Sequence, residues 1–362
     1  ATPALETYHL FKKGLADHIC VRMTKRIDDY PLPPVELVDM REELKGGNRT
    51  VLSKRLRDQL KICLDRGEQA ILLLNKRGFS SYVLCRECGA TYMCPHCQVT
   101  LTYHNDSLLK CHYCGHEQTS SVSCPKCQSA YFRQVGSGTQ KAEAELLSSF
   151  RNITLLRMDR DTTKQRGSHE NILEKFKSGK GNVLLGTQMI AKGLDFPNVT
   201  LVGVLNADTA LHFPDFRAAE RTFQLMTQVA GRSGRGLKGG TVVIQTYNPE
   251  HYALQAASFH DYDRFYDEEI TYREGLNYPP FSKLIGLTIS SPNSDKALAY
   301  AESILPKISG KEVLGPVIAP ISKLRGRYRW QILIKDGTVP DSVLEAPTGI
   351  KIDIDVDPLN LL

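Results

Sequence analysis

The sequence predicts an α/β protein, a doubly wound parallel sheet interrupted by a cysteine-rich module and followed by a separate α+β domain. Three observations predict it. Short, continuous apolar runs alternate with amphipathic segments from Val35 to Thr246, which is the texture of parallel strands covered on both faces. Eight of the ten cysteines form four Cys-x-x-Cys pairs between Cys85 and Cys127, inside that alternation. Beyond His260 the texture changes, and Tyr278-Pro279-Pro280-Phe281 punctuates the chain before a new series of strands.

The elements follow in order. The first 35 residues end in the break Tyr30-Pro31-Leu32-Pro33-Pro34 and read as the tail of a preceding domain. Val35 to Val38 predicts a strand, and Leu52, Leu56, Leu60 and Leu64 lie at helical spacing after Asn48–Ser53. Ala70-Ile71-Leu72-Leu73-Leu74 is a buried strand, and the cysteine stretch follows it as an insertion. Helices over 141–150, 170–177 and 216–230 then alternate with strands over 153–157, 183–185, 200–205 and 242–246. The expected units are 1–35, 36–82, the insertion 83–131, 132–257, and an α+β domain over 258–362.

With 362 residues, 41% hydrophobic and 24% charged, the chain is expected to fold as two or three domains rather than stay disordered. No run of about 18 apolar residues occurs, and the opening residues lack the apolar core of a signal peptide, so the expectation is a cytoplasmic protein without a membrane partner. A net charge of +6 is modest for this length, so any nucleic-acid surface must be local. Cys20 and Cys63 stand outside the cluster and are expected to be buried bystanders.

The pairs are Cys85/Cys88, Cys94/Cys97, Cys111/Cys114 and Cys124/Cys127. Two thiolates three residues apart reach one ion when a tight turn lies between them, and Gly89 and Gly115 supply turn chemistry. Eight thiolates make two closed Cys₄ sites with no open coordination position, so two structural Zn²⁺ ions are expected, with iron–sulfur ligation the main rival. Three pairings are possible. The long segment between Cys97 and Cys111 favours nesting, with Cys94, Cys97, Cys111 and Cys114 on the inner ion and Cys85, Cys88, Cys124 and Cys127 on the outer. His96, His104, His112 and His116 are read as neighbours rather than ligands.

Two segments carry motor chemistry. Leu185 to Phe196 follows a buried strand, and Gln228-Val229-Ala230-Gly231-Arg232-Ser233-Gly234-Arg235 ends a helix. A glycine-rich turn between two arginines brings backbone close to a phosphate and aims two guanidinium groups outward, as phosphoryl transfer requires. Alone, such a turn is better read as a solvated basic loop after a helix.

With its companion the pattern is specific. Thr187-Gln188-Met189-Ile190-Ala191-Lys192-Gly193-Leu194-Asp195-Phe196-Pro197 resembles motif V of superfamily-2 helicases, and the Gln228–Arg235 segment resembles their motif VI. The run Gly186 to Asp208, Phe213 to Arg221, the four cysteine pairs, Met158 to Thr163 and Arg325 to Trp330 together resemble the primosomal replication-restart helicases, the PriA family, over essentially the whole chain. Leu194 and Ser233 depart from the histidine and alanine usual there.

The resemblance implies that the parallel sheet is the RecA-like second lobe of a helicase. It makes Arg235 the arginine finger, Arg232 a second γ-phosphate contact, and Gln228 the link between nucleotide state and lobe movement. Gly193, Asp195 and Gly231 would line the nucleotide, and Thr187 would bind a DNA phosphate. Ala1-Thr2-Pro3 resembles the end of the first lobe's motif III. No phosphate cradle of the Gly-x-x-x-x-Gly-Lys type and no Asp-Glu box occurs, so ATP and Mg²⁺ are expected to be shared with a first lobe upstream, and this stretch alone is not expected to hydrolyse ATP. Implied partners are DNA forks, single-stranded DNA, primosome proteins and single-stranded-DNA-binding protein.

Lys323, Arg325, Arg327 and Arg329 share one parity, and Leu324, Tyr328, Trp330, Ile332 and Ile334 the other, so a single strand would carry a basic row on one face. That row is either a DNA-phosphate contact or merely an exposed strand over a core face. The competing overall reading is a non-catalytic zinc-containing adaptor. Intact Gly231, Arg232, Gly234 and Arg235 argue against it.

Overall fold

The computed structural model describes the chain except residues 1, 16–18, 24–30, 75–80, 105–106, 136–138, 160–161, 163–166, 188–189, 191–195, 235–237 and 362. Helix α1 (Leu5–Lys12) precedes β1 (Val35–Asp39), α2 (Met40–Lys45), α3 (Lys54–Asp65) and β2 (Gln69–Leu73). The insertion comprises β3 (Tyr82–Cys85), β4 (Thr102–Tyr103), β5 (Leu108–Lys110), β6 (Glu117–Thr119) and β7 (Phe132–Val135). Then come α4 (Thr139–Ser149), β8 (Leu155–Met158), α5 (Ser168–Lys177), β9 (Val183–Gly186), β10 (Val199–Val204), α6 (Asp208–Leu211), α7 (Ala218–Ala230), β11 (Thr241–Thr246), α8 (Tyr252–Ser258) and α9 (Tyr262–Gly275). The last unit holds β12 (Leu284–Ser291), α10 (Ser294–Ile304), β13 (Glu312–Leu324), β14 (Arg327–Lys335), α11 (Asp341–Leu344) and β15 (Lys351–Val356).

The large sheet runs β1-β11-β10-β2-β9-β8, every pair parallel. Its strands are apolar without alternation because successive side chains enter two different cores. Ile71, Leu73, Val202, Val204, Val242 and Ile244 pack under α7, α8 and α9. Ala70, Leu72, Leu201 and Val243 pack on the other face, with Leu56 and Leu60 of α3 and Leu146 of α4. Ser53 starts α3 by accepting from the Leu56 N–H at 3.1 Å.

Phe265 and Tyr266 of α9 belong to this core, so the chain past His260 still packs on the parallel sheet. Arg273 of α9 is 1% exposed and binds Glu269 at 2.8 Å, Glu220 of α7 at 2.7 Å and Glu6 of α1 at 3.2 Å. This ion cluster joins three helices. Removing its guanidinium would leave buried carboxylates uncompensated, at a cost of about 3–5 kcal/mol.

The second sheet is antiparallel, ordered β13-β14-β12-β15. Ala297, Ala301 and Ile304 of α10 cover Leu287, Ile289, Ile332 and Ile334. Among the described residues no helix is long and apolar enough to cross a membrane. Helix starts shift by two residues: α4 and α5 begin earlier than expected, at Thr139 and Ser168, and α7 begins later, at Ala218, leaving Phe216 outside it. Cys63 is buried, which pushes its thiol up to about 11, but Cys20 is exposed, against expectation, in a segment, 19–23, that is exposed throughout.

Candidate functional site

The four cysteine pairs adopt one local structure. In each, the N–H of the residue after the second cysteine donates to the carbonyl of the first: Gly89 to Cys85 at 2.9 Å, Gln98 to Cys94 at 3.0 Å, Gly115 to Cys111 at 3.0 Å and Gln128 to Cys124 at 2.8 Å. These residues sit at φ +73°, +52°, +81° and +60°, the left-handed turn that aims both sulfurs inward. The thiols gather into two groups, Cys85, Cys88, Cys124 and Cys127, and Cys94, Cys97, Cys111 and Cys114, each within 4.8 Å. Sulfurs approach to 3.6 Å in the contacts Cys85–Cys127, Cys88–Cys124 and Cys94–Cys114. A tetrahedral zinc with Zn–S near 2.3 Å needs edges of about 3.8 Å, so the donor set and its size fit that ion.

The module is wedged between the two sheets. Its core of Cys94, Cys97, Leu101, Leu109, Cys111 and Tyr113 is continuous with Tyr278, Leu284 and Leu333 of the antiparallel domain. The Phe216 ring stacks on Tyr278 at 4.5 Å, with the Arg217 guanidinium 4.3 Å from its own centroid, and the Phe216 N–H donates to the Tyr113 hydroxyl at 3.3 Å. The histidines are neighbours of the cysteines: His104 meets His112 at 3.1 Å, and His112 meets the Ile318 carbonyl at 3.0 Å.

Thr187 and the turn after α7 lie at opposite ends of the parallel strands, while Phe196, at the other end of the first motor segment, lies at the start of β10. Thr187 is half-buried just past the end of β9, its N–H directed at the Met158 carbonyl at 3.3 Å. The turn after α7 instead lies against the strand starts, with the Gly234 N–H on the Val199 carbonyl at 3.3 Å. Gln228 is exposed in the last turn of α7, and Gly231 and Arg232 are half-buried. Ser233 is buried, and its hydroxyl is placed for the carbonyls of Thr200 at 3.1 Å and Thr241 at 3.3 Å, so the departure from alanine leaves no unsatisfied group. Gly193, Asp195 and Arg235 lie outside the described residues.

The basic row is not on one strand face. Arg325 and Gly326, at φ +49° and +79°, form the two-residue turn of a hairpin between β13 and β14. Such a turn switches parity, because Leu324 stands opposite Arg327 and Lys323 opposite Tyr328. Lys323 therefore shares the face of Tyr328 and lies 4.3 Å over its ring. Leu324 joins the arginine face, 48% exposed. Arg327 is anchored to the Ser290 carbonyl at 2.7 Å and the Gly349 carbonyl at 2.8 Å. Lys323 and Arg325 remain exposed at the tip.

Sequence patterning missed Asp208, which is fully buried below the module. It accepts from Thr246 at 3.1 Å, from Asn248 at 2.7 Å and from the Tyr247 N–H at 2.9 Å, while burial shifts its carboxyl upward. His212 and His251 nearby are each held down to about 4 by burial. A lone acidic residue in an otherwise ordinary strand–helix connection carries no periodic signal; its place at the end of the run Gly186 to Asp208 was the one hint.

Three family models match the chain: the helicase conserved C-terminal domain over 127–236, the PriA DNA helicase Cys-rich region domain over 94–118, and the primosomal protein N C-terminal domain over 274–359. Relatives described as replication restart protein PriA match it in Bacillus subtilis at 49% identity over 92% of this chain and 42% of the relative. The Synechocystis relative matches at 42% identity over 100% and 46%, and the Treponema pallidum relative at 41% over 100% and 56%. The chain thus spans about half the length of the curated relatives it matches.

Proposed function

Because this chain belongs to the PriA family of replication restart proteins, we propose that it forms the second motor lobe, the zinc module and the C-terminal domain of an ATP-dependent 3′→5′ DNA helicase that restarts stalled forks. The observation that carries this is the joint match of helicase, Cys-rich and C-terminal family models along one chain whose parallel sheet, cysteine groups and antiparallel sheet fall in the same order. The unit divisions 1–35, 36–82, 83–131, 132–257 and 258–362 are part of this reading, with the first as the end of lobe one and with α9 of the last packed on the parallel sheet. Nothing specific favours the adaptor.

In this reading Arg235 and Arg232 neutralise charge on the transferring phosphate, Gln228 reports nucleotide state, and Gly193, Asp195 and Gly231 line the nucleotide. Thr187 holds a DNA phosphate at the far end of the strands, and Lys323, Arg325, Arg327 and Arg329 contribute a second DNA surface. ATP and Mg²⁺ bind between this lobe and a first lobe that supplies the phosphate cradle, so this chain alone does not turn over ATP. Two Zn²⁺ ions occupy the nested thiolate sets and supply folding energy rather than chemistry. The partners are forked and single-stranded DNA, primosome proteins and single-stranded-DNA-binding protein, in the cytoplasm.

The test is Arg235→Ala in a protein carrying both lobes. ATP turnover should fall on the order of 10³-fold with DNA affinity nearly unchanged. Turnover within a few-fold of the parent would remove the motor assignment of this turn.

A further inference from the structure

The four knuckles are alike in backbone but not in sequence. Two carry glycine at the left-handed position and two carry glutamine, one of each in either thiol group. Gln98 and Gln128 are exposed, so the knuckle itself tolerates a long side chain there. Gly89 is buried. A Cβ on it would stand 2.3 Å from the Tyr247 carbonyl oxygen and 2.8 Å from Asn248 Oδ1, both on the segment leaving β11 of the parallel sheet.

That segment is a prepared seat. Asp208 holds it from below through the Tyr247 N–H and the Asn248 amide, and His212 meets the same amide at 3.1 Å. Arg86, inside the same knuckle, donates to the Tyr247 hydroxyl at 2.8 Å. The other thiol group rests mainly on the antiparallel domain, and it reaches the parallel-sheet domain at one point, where the Phe216 N–H donates to the Tyr113 hydroxyl. The Cys97 carbonyl accepts from Tyr278, the His112 carbonyl accepts from the Gln331 amide, and Gly115 stays exposed although a Cβ there would come within 3.0 Å of Val317 Cγ1.

We propose that the two zinc sites divide the joints unequally. The outer site, through Gly89 and Arg86 on the Tyr247–Asn248 seat, fixes the module to the parallel-sheet domain. The inner site, through Cys97 and His112, carries the antiparallel domain. Gly89 is thus a docking residue rather than a requirement of the metal knuckle, and Asp208 is the positioning residue of its seat. This rests on the zinc reading above.

The experiment uses this chain and reads two quantities, zinc per chain and hydrogen exchange by segment. Gly89→Gln should keep two zinc ions, since glutamine already serves at two knuckles, yet raise exchange at 85–91 and 246–249 by tenfold or more while 312–318 keeps its protection. The mirror change, Gln98→Gly, should alter neither quantity. Arg86→Ala introduces no clash and should loosen the same two segments with both ions retained, which keeps the test open if the glutamine variant fails to fold. Loss of a zinc ion in folded Gly89→Gln would make the glycine a metal-knuckle requirement and overturn the proposal. So would unchanged exchange at 246–249 in Arg86→Ala and Gly89→Gln. A parent chain without zinc would instead defeat the metal reading on which the proposal stands.

Discussion

Tyr278 donates its hydroxyl to the Cys97 carbonyl at 3.1 Å, joining the antiparallel domain to a cysteine knuckle across a boundary that 181 residues of sequence separate. Both groups are buried, so the bond is out of reach of solvent. Tyr278→Phe would leave a buried carbonyl unsatisfied while preserving the stack on Phe216. The expected cost is about 1–3 kcal/mol, read as a lower denaturation midpoint with unchanged zinc content. An unaltered midpoint would show that the carbonyl finds another donor.

Metal removal should spread beyond the module unequally. Chelation is expected to expose 85–127 to exchange, because closed thiolate sites supply the folding energy that so short a segment lacks. Leu284 and Leu333 share the module's core, so β12 and β14 should lose protection in part. The strands Gln69–Leu73 and Val199–Val204 should retain theirs, their cores being built by helices. Simultaneous loss of the parallel sheet would contradict this order.

The hairpin arginines should separate by role. Arg327→Ala removes hydrogen bonds to two carbonyls and is expected to cost about 1–3 kcal/mol. Lys323→Ala with Arg325→Ala touches only the exposed tip and should stay within about 0.5 kcal/mol per site. If the tip binds DNA, removing each cation that neutralises a phosphate lowers the log–log salt slope by about 0.7 on single strands to 0.9 on duplex. An unchanged slope in the double variant would leave the tip without a DNA role.

Acid should weaken the segment beside β11. His251 caps α8 by accepting the Ala253 N–H on Nδ1, at 3.2 Å, and burial holds its pKa down to about 4. The folded value lies below the unfolded one, near 6.5, so its contribution is whole above pH 6.5 and is lost as pH falls towards 4. Asp208, shifted upward by burial, acts in the opposite sense across the lower part of this window. His251→Asn caps without titrating and should flatten the fall in melting temperature between pH 7 and 5. An equally steep fall in the variant would place the acid sensitivity at His212 or elsewhere.

Much of the architecture is written in local patterns. Leu56 and Leu60 lie on one face of α3 in any context that buries them, whereas Leu52 precedes the helix cap, and the run Gln69–Leu73 can rest only where both faces are covered. The spacing within each Cys-x-x-Cys pair determines a knuckle for a similar reason: the turn is closed by neighbours in the chain. These signals are short-range, and the sequence carries them without help from the fold.

Tertiary structure decided what spacing leaves degenerate. Alternation from Lys323 to Ile334 is compatible with one strand or with two strands joined at Arg325-Gly326, and only pairing with β13 and β12 shows that Lys323 and Arg327 face opposite ways. Glycine and glutamine both occur at the left-handed position of a cysteine knuckle, and the approach of Tyr247 leaves no room for a Cβ at position 89. Asp208, Phe216 and Arg273 have no periodic partner in the chain, because their partners come from segments brought together only by the fold. Local sequence thus determined the elements and the metal-binding units, whereas long-range burial, which penalises every unpaired charge and every misplaced Cβ, decided how they join.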